Sequence, residues 1–497
     1  MPRPVIICKK YAILVHRWMG VFFCVLFAAW FASGIVLMYW DFPRVLPEDR
    51  WRKAPALEAS QIRISPAEAY GRLNASEAPA RVHLAVFDQR PVYRFAFRGH
   101  TQTVTADTGE RIEDVPREIA LRIAAAWTGQ DPGGARVDLI HDVDQWTIQI
   151  RGQLPLWKAT FADGEEVYVS RKTGEIAQHT TRASRIRAYC GAIPHWLYFS
   201  ALRQHTPAWR AVVIWLSALG VLMNLFGLVA GIWMYSPAKK YRLRTGASSI
   251  PYAGQKHWHT VLGLVFGLFA LTWVLSGMFS MNPLAWSPGS AADGPARALR
   301  GPQWSAGAFA ATSPAQALRK LPAEFKAKEL RLTHAGGEPA YLAVEDLSRS
   351  LMITAAGNPA ESLDPETIRR LMAVASRPHA IAESRVVTEY EPYYIDRHHR
   401  KPLPALFVRL NDAERSMYYV DLKSGQVVES YDARSRAERW LYHGLHSMDL
   451  PWLYRNRPAW DITVLTLMLG GTALCVTSVV IGYRRVRQKL RGLNRRK

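Results

Sequence analysis

The chain is poor in cysteine, with 4 in 497 residues. It has no C-x-x-C and no C-x-x-C-H, which excludes zinc-finger spacing and covalent c-type haem attachment. G-x-G-x-x-G and the Walker A pattern are also missing, so nothing suggests a nucleotide or flavin carried by the chain itself. Acidic residues are absent from three segments: 1–17, 239–256 and 484–497. Charged residues of either sign are absent from four others: Trp18–Trp40, Ala211–Ala238, Thr260–Met281 and Ile462–Tyr483.

What is present follows from those gaps. Each uncharged block reaches the roughly 20 residues that a helix needs to cross a hydrocarbon layer. The first is too long and too rich in Trp and Phe for a signal peptide, and no small-residue cleavage site follows it. The three acid-free segments hold 17 of the 63 Lys and Arg residues, leaving 46 against 41 acidic residues elsewhere. The formal charge of +22 therefore reads as positive-inside topology and anionic lipid contact, with no nucleic-acid partner. Both termini and the 239–256 linker are expected on the cytoplasmic side, and the segments 41–206 and 283–458 on the outer side. Cys8 then lies inside, Cys24 and Cys475 in membrane helices and Cys190 outside, so no disulfide framework is expected.

The chain reads as a tandem duplication. His16, Gly20, Trp30 and Ser33-Gly34 match His259, Gly263, Trp273 and Ser276-Gly277 without gaps, at an offset of 243. In the outward segments a helical stretch (PREIALRIAAAW or PETIRRLMAVAS) precedes strands closed by TG or SG turns. The pattern is antiparallel α+β, with hairpins such as those bearing Tyr93–Phe97 and Trp157–Phe161. Trp196-Leu-Tyr matches Trp440-Leu-Tyr at an offset of 244. The expected order is 1–40 N-terminus and first span, 41–192 first outward domain, and 193–238 interfacial helix and second span. A basic linker (239–256), the third span (257–282) and the second outward domain (283–434) follow. An interfacial helix with the fourth span (435–483) and a basic tail (484–497) complete it.

Histidine placement carries the chemistry. His16, His257 and His259 open the first and third spans at the inner side, and His16 and His259 are repeat equivalents. Two neutral imidazoles at equal depth supply axial ligands for a b-type haem. Gly20, Gly263 and Gly267 would give room for the ring, and Trp18, Phe22 and Phe266 its walls. The competing explanation is an interfacial Arg–Trp anchor inherited twice. On the outer side, His195 pairs with either His443 or His446. The 244 offset does not impose this, because it sets His195 against Arg439, His443 against Phe199 and His446 against Leu202. His398-His399-Arg400-Lys401 reads as a solvated basic loop. The remaining histidines show no metal-ligand spacing.

HRWMGV…ASG, the TG/SG hairpin domains, AIPHWLYFSALR and RWLYHGLHSMDLPWLYRNRPAWD resemble the PepSY-associated transmembrane family of bacterial inner-membrane proteins. The resemblance covers nearly the whole chain and implies four transmembrane helices with two periplasmic α+β PepSY-like domains. Some members are haem-containing ferric-siderophore reductases. That similarity implies one or two b-type haems held by His16, His259, His195 and His443 or His446, and a ferric siderophore as partner. With no flavin module in the chain, it also implies a separate cytoplasmic reductase or quinol as electron donor. The second function considered is a non-redox PepSY protein that binds or modulates periplasmic peptidases or assists import.

Overall fold

The computed structural model describes residues 3–244, 246–284, 293–354 and 357–494, so Arg495, Arg496 and Lys497 of the basic tail lie outside the described residues. The chain divides into two compact units. One combines 1–42, 183–286 and 437–497; the other combines 43–182 and 287–436.

The first unit is built on four long helices: α1 (Arg3–Leu37), α2 (Thr206–Met234), α3 (Gln255–Phe279) and α4 (Arg457–Asn494). Each contains a stretch long and apolar enough to cross a membrane, and the chain is a multi-pass membrane protein. α1 and α3 each pack against both α2 and α4. The core holds Phe23, Phe27, Phe31, Met223, Trp273, Trp460 and Met468, all buried. Close packing depends on glycine: the Phe266 and Phe31 rings occupy the places that side chains at Gly470 and Gly471 would take. The basic linker forms a small hairpin, Tyr241–Leu243 against Gly246–Ser248.

The second unit contains fifteen named strands. From the first segment come β1 (Arg81–Phe87), β2 (Arg90–Ala96), β3 (Thr101–Thr105), β4 (Arg111–Ile112), β5 (Arg136–Ile140), β6 (Leu156–Thr160), β7 (Glu166–Ser170) and β8 (Ile176–Thr180). From the second come β9 (Glu329–Ala335), β10 (Glu338–Val344), β11 (Ser350–Thr354), β12 (Ile381–Val387), β13 (Ala405–Leu410), β14 (Met417–Asp421) and β15 (Val427–Tyr431). β5–β8 and β12–β15 make two antiparallel four-stranded sheets. The helix Arg117–Thr128 turns Ala120, Ala124 and Trp127 inward beside the first, and Pro365–Ala375 turns Ile368 and Met372 inward beside the second. Asp364 caps the latter by accepting from the Glu366 and Thr367 amides, the usual service of an N-cap carboxylate. Glycine at positive φ makes the expected turns, Gly174 at 69° and Gly425 at 70°.

The other strands correct the expectation of two separate outward domains. They form one seven-stranded sheet in the order β11-β10-β9-β1-β2-β3-β4. Its centre is an antiparallel pairing of β1 with β9, Val82 opposite Leu332 and Leu84 opposite Leu330. A four-stranded half would leave the β1 edge amides unpaired, and pairing across the two segments removes that edge. The expected boundary at 192 also moves: the bundle unit begins again at Ala183, within the helix Arg182–Cys190.

Polar bonds cross the same seam. Trp51 Nε1 donates to Glu329 Oε2 at 2.6 Å, and Arg400 Nε meets Glu48 Oε1 at 2.8 Å. Arg331 Nε lies 2.8 Å from Glu329 Oε1. Burial raises the Glu329 carboxyl, but Arg331, His83 and the Trp51 N–H outweigh it and hold the group at about 2. The basic loop is tied rather than free: the Asp396 carboxylate accepts from the His398, Arg400 and Lys401 amides.

The seam can be tested by mutation and by acid. Leu84 and Leu330 are both 0% exposed, so Leu330→Ala should cost about 3 kcal/mol. A thermal-unfolding cycle with Leu84→Ala should show non-additive coupling of about 1 kcal/mol, as residues in contact do. A depressed carboxylate stabilises the fold above its unfolded value and stops doing so as pH falls through its folded value. Acid unfolding of wild type should therefore steepen between about pH 4.5 and about 2, and Glu329→Gln should flatten that window.

Candidate functional site: two histidine pairs

Four of the six histidines proposed from sequence come together in pairs. His16 on α1 faces His259 on α3 with ring centroids 6.1 Å apart and planes at 31°. His195 and His446 also stand 6.1 Å apart, at 58°. His257 joins neither pair: its Nδ1–H donates to Tyr252 O at 3.2 Å, and its ring meets Trp258 edge-on. His443 packs on Tyr442, ring centroids 4.5 Å apart, and His446 takes the place opposite His195.

Each paired imidazole is seated through Nδ1 on a neighbouring helix. His16 Nδ1 lies 3.0 Å from Met223 O on α2. His195 Nδ1 is 3.0 Å from Trp30 O and 3.3 Å from Ser33 Oγ on α1. His446 Nδ1 is 3.2 Å from both Trp273 O and Ser276 Oγ on α3. A carbonyl only accepts, so Nδ1 carries the proton at these three rings. His259 Nδ1 instead meets Thr477 Oγ1 at 3.1 Å and Ser478 Oγ at 3.3 Å on α4. Both hydroxyls donate their protons to Leu474 O, so toward His259 they accept. In every ring the lone pair is left on Nε2, the tautomer that a metal-ligating histidine takes when its other nitrogen donates to the protein.

The helices supply these seats for a local reason. Met223, Trp30 and Trp273 are each followed four residues later by glycine: Gly227, Gly34 and Gly277. In a helix the Cα–Cβ bond tilts toward the N-terminus and covers the carbonyl one turn back. Without that atom the carbonyl is open to a ring. A Cβ at Gly227 would overlap His16 Cε1; one at Gly34 or Gly277 would lie 3.2 Å from Cε1 of His195 or His446. Leu474 is followed by Ser478, and there hydroxyls bridge the gap. Every long helix thus provides one seat.

The His195/His446 pair corrects the sequence alignment. His195 lies on the short helix Ala192–Trp196, ended by Leu197 at φ 51°; His446 lies on Leu445–Ser447, ended by Met448 at φ 51°. Trp209 Nε1 donates to Trp196 O at 2.8 Å, and Trp460 Nε1 to Ser447 O at 3.1 Å. All these residues correspond at an offset of 251, not 244. The Trp-Leu-Tyr match is seven residues out, close to two helical turns, so it preserved the helix face and misplaced the histidines. Pro207-Ala-Trp209 and Pro458-Ala-Trp460 held the right register. The expected walls change too. Phe22 is 72% exposed and points away, while Trp18 lies under Lys489, 4.3 Å from Nζ to ring centre. Gly20 meets open space and Gly263 and Gly267 touch only leucines, so Gly227, Gly34 and Gly277 are the glycines that matter to the rings.

Two ligand bonds of about 2 Å, plus the step from each nitrogen to its ring centre, put imidazole centres roughly 6 Å apart on either side of one metal. Both pairs have that spacing. Among the described residues no group of three or more His, Cys, Asp or Glu surrounds a metal position. Two protein ligands on one axis suit a cofactor that brings its own equatorial nitrogens, as haem does.

A family model for the PepSY-associated TM region matches residues 13–347. The chain belongs to that family. The PepSY-associated match includes α1, α2 and α3 with His16, His195 and His259, and ends before His446. No curated protein matches the chain.

Gly227→Ala would push a methyl between Met223 O and His16, at a cost of about 1–3 kcal/mol by overpacking. In nitrogen-15 spectra of histidine-labelled protein, His16, His195, His259 and His446 of the wild type should each appear as Nδ1–H, Nε2-unprotonated rings. The variant should move His16 and leave His195 and His446 in place.

Proposed function

We propose that this protein carries electrons across the bacterial inner membrane through two b-type haems and reduces a ferric chelate, such as a ferric siderophore, on the periplasmic side. The observation that carries this reading is the repetition of one ligand geometry at two levels of one bundle. His16/His259 would hold the inner group and His195/His446 the outer. When bound, haem supplies a one-electron iron couple. Each ferric ion reduced takes one electron, which a separate cytoplasmic reductase or quinol supplies. Hard-oxygen chelators hold the ferrous product far less tightly, so the metal is released.

The residues of the bundle do the rest. Nδ1 hydrogen bonds fix each ring's tautomer and leave Nε2 unprotonated, so that Nε2 of His16, His259, His195 and His446 would hold the haem iron. His16 and Trp30 are just under four turns apart on α1, about 21 Å along the axis. Phe23 and Phe27 lie in that interval, and with Phe31 and Trp273 at its far end they are buried, which keeps water out. Lys9 Nζ donates to Trp233 O at 3.2 Å and Lys489 lies over Trp18, so the basic flanks of α1 and α4 gather at the His16 end. That grouping supports cytoplasmic termini and periplasmic outward segments. The matched seats, residue for residue at offset 251 around α2 and α4, support a duplicated helix–domain–helix unit.

Protein purified in mild detergent from haem-replete cells should contain two haems per chain by pyridine haemochrome. His16→Ala or His259→Ala should each reduce the count to one, as should His195→Ala or His446→Ala, and the two classes should remove spectrally distinct species. Folded wild-type protein without haem, or inner-pair variants retaining both, would overturn the reading.

A further inference from the structure

The strand unit holds a cleft of about 1290 Å³ at the β1–β9 seam, above the roughly 300–1,000 Å³ of ordinary small-molecule pockets. Eight Arg and Lys side chains line it against four carboxylates. Three of those carboxylates are already taken. Arg94 Nη1 lies 3.2 Å and Arg50 Nη1 3.6 Å from Glu175, Arg331 holds Glu329, and Arg122 meets Asp88 at 2.6 Å. Arg81, Arg300 and Lys328 have no carboxylate partner among the described residues, and the first two are exposed. Trp51 and Trp304 add aromatic wall. The fourth carboxylate, Glu58, is exposed, and against it stand Arg81, Arg300 and Lys328, so the recess keeps a surplus of positive charge. It lowers the free energy of an anion that is too large to be held by a single pair.

We infer that this cleft binds a multiply anionic ligand with several carboxylate or catecholate oxygens around a compact body, and that it selects anionic over neutral ferric chelates. That the ligand is a metal chelate rests on the electron-transfer reading; the sign of its charge rests on the cleft alone. Arg81, Arg300 and Lys328 meet the ligand's oxygens, and the tryptophans cover its apolar parts. Because the contacts are exposed charge pairs, affinity falls as salt rises.

Gallium(III) chelates separate the two ideas, since gallium matches ferric iron in charge and coordination and is not reduced. The full-length protein in detergent is titrated calorimetrically with a trianionic gallium tris-catecholate and with a neutral gallium tris-hydroxamate. The trianion should bind at least about tenfold more tightly at low salt, and the preference should shrink at high salt. Arg81→Glu with Arg300→Glu should weaken the trianion about tenfold or more and leave the neutral chelate unchanged. Both side chains are exposed, so the fold is retained, and an unchanged thermal transition checks this. Equal affinity for the two chelates, or trianion binding indifferent to the double substitution, would overturn the inference. Loss of the haem reading would leave these titrations interpretable, because they involve no electron transfer.

Discussion

A backbone carbonyl laid bare by glycine one turn further on is the constraint around which the bundle is organised. An imidazole reaches a helical carbonyl only where no Cβ covers it, and three of the four seats have that arrangement: Met223 before Gly227, Trp30 before Gly34 and Trp273 before Gly277. The seat fixes the tautomer, the tautomer fixes where the lone pair points, and the 6.1 Å separations follow. The fourth seat shows what happens when the rule is relaxed. Ser478 stands where a glycine would, and together with Thr477 it passes the hydrogen bond on to Leu474 O. His16 and His259 thus have different partners, a bare carbonyl for the first and two hydroxyls for the second. The His195/His446 pair is symmetric, each ring having one carbonyl and one serine.

The strand unit is governed by a different constraint, the unpaired edge. β1 and β9 each present an edge that the other covers. Joining them yields one sheet where the repeat had suggested two. The seam is also where the unit gathers partly covered ion pairs. The Glu329 carboxylate accepts from Trp51 and Arg331, and the Glu175 carboxylate meets Arg94 and Arg50. Partial covering of these carboxylates is tolerated because each is held by cationic partners.

The sequence made some of this legible and hid the rest for identifiable reasons. Long uncharged blocks announce membrane-length helices because burying a charge in hydrocarbon is so costly. The His16/His259 pairing was readable because the two sit in ungapped equivalent positions. For His195 the sequence left the partner open between His443 and His446, because short proline-broken helices and a π-helical turn at Arg439–Gly444 surround them and the Trp-Leu-Tyr match sets the wrong register. Ser33-Gly34 and Ser276-Gly277 were visible as matching pairs, but only the structure shows what they do. In each pair the serine accepts from a histidine and the glycine makes room for it. Gly227 carried no signal, since one glycine in an apolar helix resembles any other. The shared sheet was hidden as well, because the hydrophobic pattern of an edge strand does not say which chain segment will cover it.

The cross-segment sheet has a consequence for biogenesis. Val82 meets Leu332, about 250 residues later in the chain, and two membrane-length helices lie between them. At roughly 5–20 residues per second, the open edge of β1 waits some ten to fifty seconds for its partner to be synthesised. Throughout that interval the first segment presents a hydrogen-bonding template to any extended chain nearby. A nascent second molecule offering its own β9 would satisfy it equally well, so the same pairing that closes one molecule could join two.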